Sequence, residues 1–589
     1  MNLNVFLKFF FLIISITGLF DDTSAQTGKS DFYHDLKGNR LPWTKTPGVD
    51  ADNFRFIIAG DLTGGEQPGV FDQAVKRIND LAPDFVITVG DLIEGYTHSQ
   101  NEMQRQWETF LRSLQKLEAP FFFAPGNHDI TTEMLLREWK RRLGHHYYNF
   151  YVGNVLFLVL NSTEPGVNGF SEKQVNYVSS VLEEHRKGDP VFVILHNALW
   201  GMEGKQGVEK LNDAFDRHEV TFFCGHEHRY QFRMYNGKHH YMLAALAAGG
   251  KKGASLGEFH NMMQVTVKNE NIRIANIELE GLHPHDIVDE QTIKQVDILR
   301  SENWAHFVPV VAKSADVSEV NSFLILKNDG DYPMLVQGEW DTSERFEIQP
   351  DKIDARIMSG GKVRIPVYLN MRNDSTIRNL HGVSLLLNAH FEQEEKQLNS
   401  SANPVWHIDY IRETKHIEQQ TLDPILLKPG QIYEAWDWDG PGDASFSIAS
   451  GYDNENLYIK AKVKDDHWVT DSQNGDLKGD ILQLVFQPDT SHQSSDPAVF
   501  EFSLTSGNAL CIAGCEKVKG FSSESTMKKQ TFEANLIIPR NLIINDSFRI
   551  NMAYSDVDNP DNLDNAELWW KPPWNTSDNY PMSGVFIID

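Results

Sequence analysis

A chain of 589 residues is too long for one hydrophobic core and calls for about three or four domains of ~150 residues each. Its 41% hydrophobic and 11% aromatic content is that of a folded globular chain and excludes a disordered one. A formal net charge of −28 argues against nucleic acid or an anionic membrane as the main partner, because both carry charge of the same sign.

At the N-terminus, Lys8 lies inside an apolar run from Val5 to Phe20, and Thr23-Ser24-Ala25 follows with small residues suited to cleavage. Residues 1–25 therefore read as a secretory signal, and the expected location is secreted or periplasmic. No later segment approaches ~18 uninterrupted apolar residues, so stable membrane insertion is not expected. No cysteine precedes Cys224, which excludes a lipid-modified N-terminal cysteine. Cys224 follows an apolar strand and is expected buried and free. Cys511 and Cys515 are close enough for a local disulfide in an oxidising compartment.

Residues 26–52 read as an irregular lead-in, with Pro42 and Pro47. From Phe54 the texture becomes alternating apolar strands and amphipathic helices. Strands are expected at Phe54–Ala59, Phe85–Val89, Phe121–Ala124, Val155–Leu160, Val191–Leu195 and Val220–Phe223. Helices are expected over Val70–Leu81, around Trp107–Leu117, and over Ser171–Arg186 and Val208–His218. Strands alternating with helices imply an α/β layer fold over residues 53–280.

Five of these strands run into a tight polar turn. The turns are Gly60-Asp61-Leu62-Thr63, Gly90-Asp91-Leu92, Pro125-Gly126-Asn127-His128-Asp129, His196-Asn197 and Gly225-His226-Glu227-His228. Carboxyl ends of strands in α/β sheets share one crevice, so the turns deliver carboxylates, an amide and imidazoles to one place. A lone Gly-Asp after a strand is commonly a helix N-cap; the ordered set points instead to divalent metal binding. Mixed oxygen and imidazole donors suit Mn, Fe or Zn, where an all-oxygen set suits Mg or Ca.

The order Gly-Asp, Gly-Asp, Gly-Asn-His-Asp, His, Gly-His-Glu-His resembles the calcineurin-like metallophosphoesterase superfamily. The resemblance implies a β-sandwich flanked by helices, two divalent metal ions at one end, and hydrolysis of a phosphoester by a metal-activated hydroxide. By position, Asp61 and His228 hold the first metal, Asp91 bridges both, and Asn127, His196 and His226 hold the second. His128 acts on the phosphate or the leaving oxygen, and Asp129 orients His128. Thr63 stands where the family usually has a histidine on the first metal; Glu66 and His98 are nearby candidates to substitute.

His283–Ile298 reads as a polar connection, helical in part. Residues 300–411 alternate without helical period, at Ser322–Leu326, Met334–Gly338, Val363–Leu369 and Val383–Ala389, and are expected to form an all-β spacer sandwich of immunoglobulin-like texture. Glu392–Pro404 reads as an exposed loop or hinge. Residues 420–589 form a last β-rich unit, similar to family 9 carbohydrate-binding modules in the order of its motifs: Ala435-Trp436-Asp437-Trp438, Val463-Lys464-Asp465-Asp466-His467-Trp468, Gly479-Asp480 and Trp569-Trp570. The likeness implies polysaccharide binding, with Trp436, Trp438, Trp468 and Trp570 as candidate sugar platforms and Asp465, Asp466 and Asp480 as candidates for sugar or calcium. Any single tryptophan of a β-sandwich is more often core than platform.

Two function classes follow: an exported phosphoesterase acting on a phosphoester, glycan-linked or otherwise, in polysaccharide degradation, and a glycan-binding protein whose phosphoesterase domain is degenerate. Expressed with its own N-terminus in a secreting host, the exported chain should begin at Gln26 by intact-mass analysis. A chain that keeps residues 1–25 would contradict the signal reading.

Overall fold

The computed structural model describes residues 30–588 apart from 66, 98, 249–251, 270, 302, 341–342, 374, 381, 394–397, 418–421, 423–424, 428–430, 434–440, 442–443, 467, 470–478, 489, 491–496, 505–507, 529, 558–565 and 572–583. The chain divides into two compact units, the first running to Ile293 except for Thr97–Ser99.

The strands of the first unit are β1 (Phe32–Tyr33), β2 (Asn53–Ala59), β3 (Phe85–Thr88), β4 (Phe121–Phe122), β5 (Tyr148–Val152), β6 (Val155–Val159), β7 (Pro190–Ile194), β8 (Glu219–Cys224), β9 (Gln231–Tyr235), β10 (Lys238–Met242), β11 (Asn261–Lys268), β12 (Asn271–Glu278) and β13 (Gly281–His283). Its helices are α1 (Val70–Leu81), α2 (Gln100–Leu114), α3 (Asn127–Ile130), α4 (Glu133–Leu143), α5 (Glu172–Glu184) and α6 (Val208–Phe215). One sheet has seven strands in the order β1-β5-β6-β7-β8-β10-β9, and the other has six in the order β13-β12-β11-β2-β3-β4.

The period-2 alternation of β2 builds the layers. Phe54, Phe56 and Ile58 point into the core between the sheets, while Ile57 and Ala59 face the helices. Between the sheets, Phe56 stacks on Phe85 with ring centroids 5.2 Å apart, and Phe157 meets Phe56 edge-on at 5.1 Å. Outside one sheet pack α1, α2 and α4 through Val75, Trp107 and Trp139; outside the other pack α5 and α6 through Val178 and Leu211. The result is the expected sandwich of two sheets flanked by helices. Local signals start the helices as well: Ser171 caps α5 by accepting from Gln174 N at 3.4 Å, and Thr132 caps α4 by accepting from Leu135 N at 3.2 Å.

The parallel strands end in step. Ala59 of β2 lies opposite Thr88 of β3, Ile87 of β3 opposite Phe122 of β4, and Ile194 of β7 opposite Phe223 of β8. This register brings the polar turns to the same edge of the sandwich.

The lead-in differs from expectation. Phe32 and Tyr33 pair with Val152 and Tyr151, and Trp43 and Val49 lie in the core between the sheets. Its prolines and glycines break helix and strand periodicity, but its few large apolar residues still find the core. The antiparallel β11 and β12, which extend the sheet beside β2, also escape the sequence reading, because their apolar residues are interleaved with asparagine, arginine and threonine.

Among its described residues the second unit is all-β beyond a helix at Ile293–Ser301 and short 3₁₀ turns. Part of the expected loop Glu392–Pro404 is a strand: Asn399–Ala402 pairs with Leu387–His390. Arg412–His416 already belongs to the last sheet system, pairing with Phe586–Ile588 and with Gly451–Tyr452, so that system starts before residue 420. Asp409 is buried between Lys571 Nζ at 3.2 Å and Arg412 Nη2 at 2.8 Å, and also accepts from Gly584 N at 3.0 Å. Cys511 and Cys515 form a disulfide, and Cys224 is free and buried, both as expected.

Candidate metal centre

The expected donors leave the ends of adjacent strands. Asp61 follows β2, Asp91 follows β3, Asn127 opens α3 just after β4, His196 follows β7, and His226 and His228 follow β8. Two glycines are needed for the carboxylates to reach the centre. A Cβ on Gly126 would stand 2.0 Å from Asp91 Oδ1, and one on Gly225 would stand 2.0 Å from Asp61 Oδ1. Asp91, His226 and His228 are held in the left-handed region, at φ 55°, 77° and 50°. Non-glycine residues reach that region at a cost of order 1–3 kcal/mol each and stay there only when neighbours fix them.

Two buried carboxylates do that fixing. Asp129 accepts from the backbone N–H of Asp91 at 2.9 Å, Leu92 at 2.8 Å, Ile93 at 3.3 Å and Gly126 at 2.8 Å. Asp61 Oδ2 accepts from His226 N at 2.7 Å. Burial first, and then the charge of Asp91, push Asp129 up to about 8. The bonds Asp129 accepts come from these backbone N–H groups and not from the His128 ring. The His128 ring is oriented instead by the carbonyl of Glu94, 2.6 Å from Nδ1. A carbonyl can only accept, so Nδ1 carries the hydrogen and Nε2 faces Asp91 Oδ2, 4.0 Å away.

The same logic sets His196. Its Nδ1 lies 3.1 Å from Val89 O and donates to it, which turns Nε2 inward. There Nε2 meets Asn127 Oδ1 at 2.7 Å, Asp91 Oδ2 at 3.2 Å and His226 Nδ1 at 3.2 Å. Four electron-rich atoms converge where a cation fits. Burial opposes charge on His196, but Asp91 outweighs it, with Asp61 adding, and the imidazole is raised to about 9. A proton thus takes the cation's place. Burial lowers His226, and the neighbouring His196 reinforces the effect.

On the other side of Asp91, ligand atoms of Asp61, Asp91 and His228 lie within 4.8 Å of one another, as do those of Asp91, His196 and His226. Asp91 is common to both groups. His228 Nε2 is 3.3 Å from Asp61 Oδ2, and Asp61 Oδ1 is buried without a hydrogen-bond partner among the described residues. Both donor sets fit a divalent cation. No fourth His, Cys, Asp or Glu joins the first group among the described residues. Thr63 is buried and gives its hydroxyl to Glu94 Oε2, which also accepts from Gly64 N at 3.2 Å. The substitutes Glu66 and His98 lie outside the described residues.

Two neighbours escaped the sequence reading. Glu94 and Tyr96 lie in the loop after Asp91, within Gly-Asp-Leu-Ile-Glu-Gly-Tyr. Proximity to Asp91 marks Glu94 as a candidate, but nothing in the sequence marks the tyrosine.

The candidate sugar platforms fare differently. Trp436 and Trp438 lie outside the described residues. Trp570 is only 3% exposed and packs on Phe586 with Arg412 over its ring, so it is core and not an open platform. Trp468 is half-buried and meets Tyr554 edge-on. Asp465 and Asp480 do gather, with Asp556 as the third carboxylate, whereas Asp466 is exposed and outside the group.

A family model described as calcineurin-like phosphoesterase matches residues 54–230, and this part of the chain is a metallophosphoesterase domain. The chain is 34% identical over 111 residues to the serine/threonine-protein phosphatase CPPED1 of Mus musculus, covering 18% of this chain and 35% of the mouse protein, so it spans about a third of that relative. A dimetal phosphatase structure from Danio rerio is similar at a TM-score of 0.33 and 15% identity, over 39% of this chain and 98% of that one. A family 9 carbohydrate-binding module from Caldicellulosiruptor kristjanssonii in complex with cellotriose is similar at a TM-score of 0.24 and 9% identity, over 30% of this chain and 93% of that one.

The raised His196 sets a pH dependence. Below about 9 the apo imidazole holds a proton that a metal must displace, so metal binding at pH 7–8 releases a proton and affinity rises toward pH 9. Titration calorimetry of Mn²⁺ in buffers of different ionisation enthalpy measures that release; binding without it would contradict the arrangement.

Proposed function

We propose that the first unit is a phosphoester hydrolase working with two divalent cations (Mn, Fe or Zn), one held by Asp61, Asp91 and His228 and the other by Asp91, Asn127, His196 and His226. The single observation that supports this most is the sharing of Asp91 by two donor groups, since a carboxylate between two sites can bridge cations ~3.5–4 Å apart. Two cations held there supply Lewis acidity toward a phosphoryl oxygen and activate water at neutral pH. The chain's own residues do the rest. His128 stands beside the donor groups with Nε2 turned toward Asp91 and Nδ1 tied to Glu94 O. A proton on Nε2 can pass to the leaving oxygen or stabilise charge on the phosphoryl group. Asp129 holds the Asp91 turn through the backbone N–H groups it accepts from.

We further propose that the protein works outside the cytoplasm, a reading supported by the apolar run before Ala25 and by the Cys511–Cys515 disulfide.

Protein stripped with a chelator and reloaded with Mn²⁺ should hydrolyse p-nitrophenyl phosphate, its bis-ester analogue or both. Asp91→Ala should lose at least about 10²–10³-fold, the scale of deleting one charge-stabilising group. His128→Ala should lose about 10²–10⁴-fold in kcat, the usual contribution of general acid catalysis. No metal-dependent turnover on either compound, or turnover unchanged in Asp91→Ala, would return the chain to the alternative of a glycan-binding protein with a degenerate phosphoesterase domain.

A further inference from the structure

The hydroxyl of Tyr96 accepts a hydrogen bond from Asn127 Nδ2 at 2.8 Å. This contact anchors the Asn127 amide beside the donor cluster. With Nδ2 engaged by the phenol, Oδ1 points inward to within 2.7 Å of His196 Nε2. Flipped, the amide would turn N–H groups inward and offer a cation no lone pair.

Tyr96 is itself fixed. It sits at φ 42°, after Gly95 at φ 65°, and Gly95 N donates to Gln106 Oε1 at 2.9 Å. A Cβ at residue 95 would meet His128 O at 1.8 Å, so only glycine lets this loop lie against the turn that carries Asn127 and His128. The Tyr96 ring meets the His128 ring edge-on, with centroids 4.7 Å apart. One side chain therefore touches both functional residues of that turn, through its oxygen on Asn127 and through its ring on His128.

We propose that Tyr96 is a positioning residue that presets the Asn127 amide for the second cation, and that its hydroxyl acts through Asn127 alone. The proposal rests on the reading that Asn127 helps to hold a metal. It predicts that Tyr96→Phe, which keeps the ring against His128 and removes only the oxygen, weakens Mn²⁺ binding at one site by about 10–100-fold, the usual scale for a group that orients a metal ligand. The other site and the melting temperature of the metal-free protein stay unchanged, and the visible absorption of the Co²⁺-loaded protein shifts.

The decisive comparison is a cycle with Asn127→Ala, read by calorimetric Mn²⁺ titration of the full chain. Tyr96→Phe should weaken binding in the native background and change it less than about 2-fold once Asn127 is already alanine, because the two then share one pathway. Unchanged affinity in Tyr96→Phe, or an equal loss in both backgrounds, would overturn the proposal. If the unsubstituted protein binds no Mn²⁺, or Asn127→Ala binds as well as it does, the metal reading itself fails, and that result is distinct from failure of the tyrosine.

Discussion

Everything proposed for the centre depends on buried carboxylates taking backbone N–H groups. Asp129 gathers the amides of Asp91, Leu92, Ile93 and Gly126, and Asp61 takes that of His226. These bonds bend the chain so that Asp91 and His226 can occupy backbone conformations they would otherwise avoid. Hydrogen bonds in a dry interior meet no competing water, and four gathered on one buried carboxyl group hold the turn against strain. The donor atoms thus converge on turns whose N–H groups these two side chains satisfy.

The sandwich supplies the other half of the constraint. Its two sheets are locked face to face by packed phenylalanines, so the ends of β2, β3, β4, β7 and β8 stay fixed relative to one another. Donors carried on five such ends are held to the precision of the core itself. Glu94 and Tyr96 refine this at the level of single rings and amides: the Glu94 carbonyl sets which nitrogen of His128 faces Asp91, and the Tyr96 hydroxyl anchors the Asn127 amide.

Much of this could be read from the residues. Short apolar runs ending in Gly-Asp, Gly-Asn-His-Asp and Gly-His-Glu-His carry the strand-turn logic openly, and the structure brings Asp61, Asp91, Asn127, His196, His226 and His228 together where that logic puts them. What escaped has a common physical cause. The work of Asp129 is done on backbone N–H groups, which look alike in every sequence, so the resemblance that pairs it with His128 does not reveal it. Tyr96 acts at a distance in the chain from Asn127, and its φ of 42° cannot be seen in a one-letter code. The lead-in joined the core through isolated residues such as Trp43, too sparse to form a period. Trp570 was ambiguous in principle, since the same ring can cover a core or a sugar, and burial decided it.

The central claim is that Asp91 lies between two cations. A crystal of the Mn²⁺-loaded protein, measured at the manganese absorption edge, tests it directly. The account predicts two anomalous peaks ~3.5–4 Å apart, one on each side of the Asp91 carboxylate. A single peak, or two peaks that do not share Asp91, would contradict it.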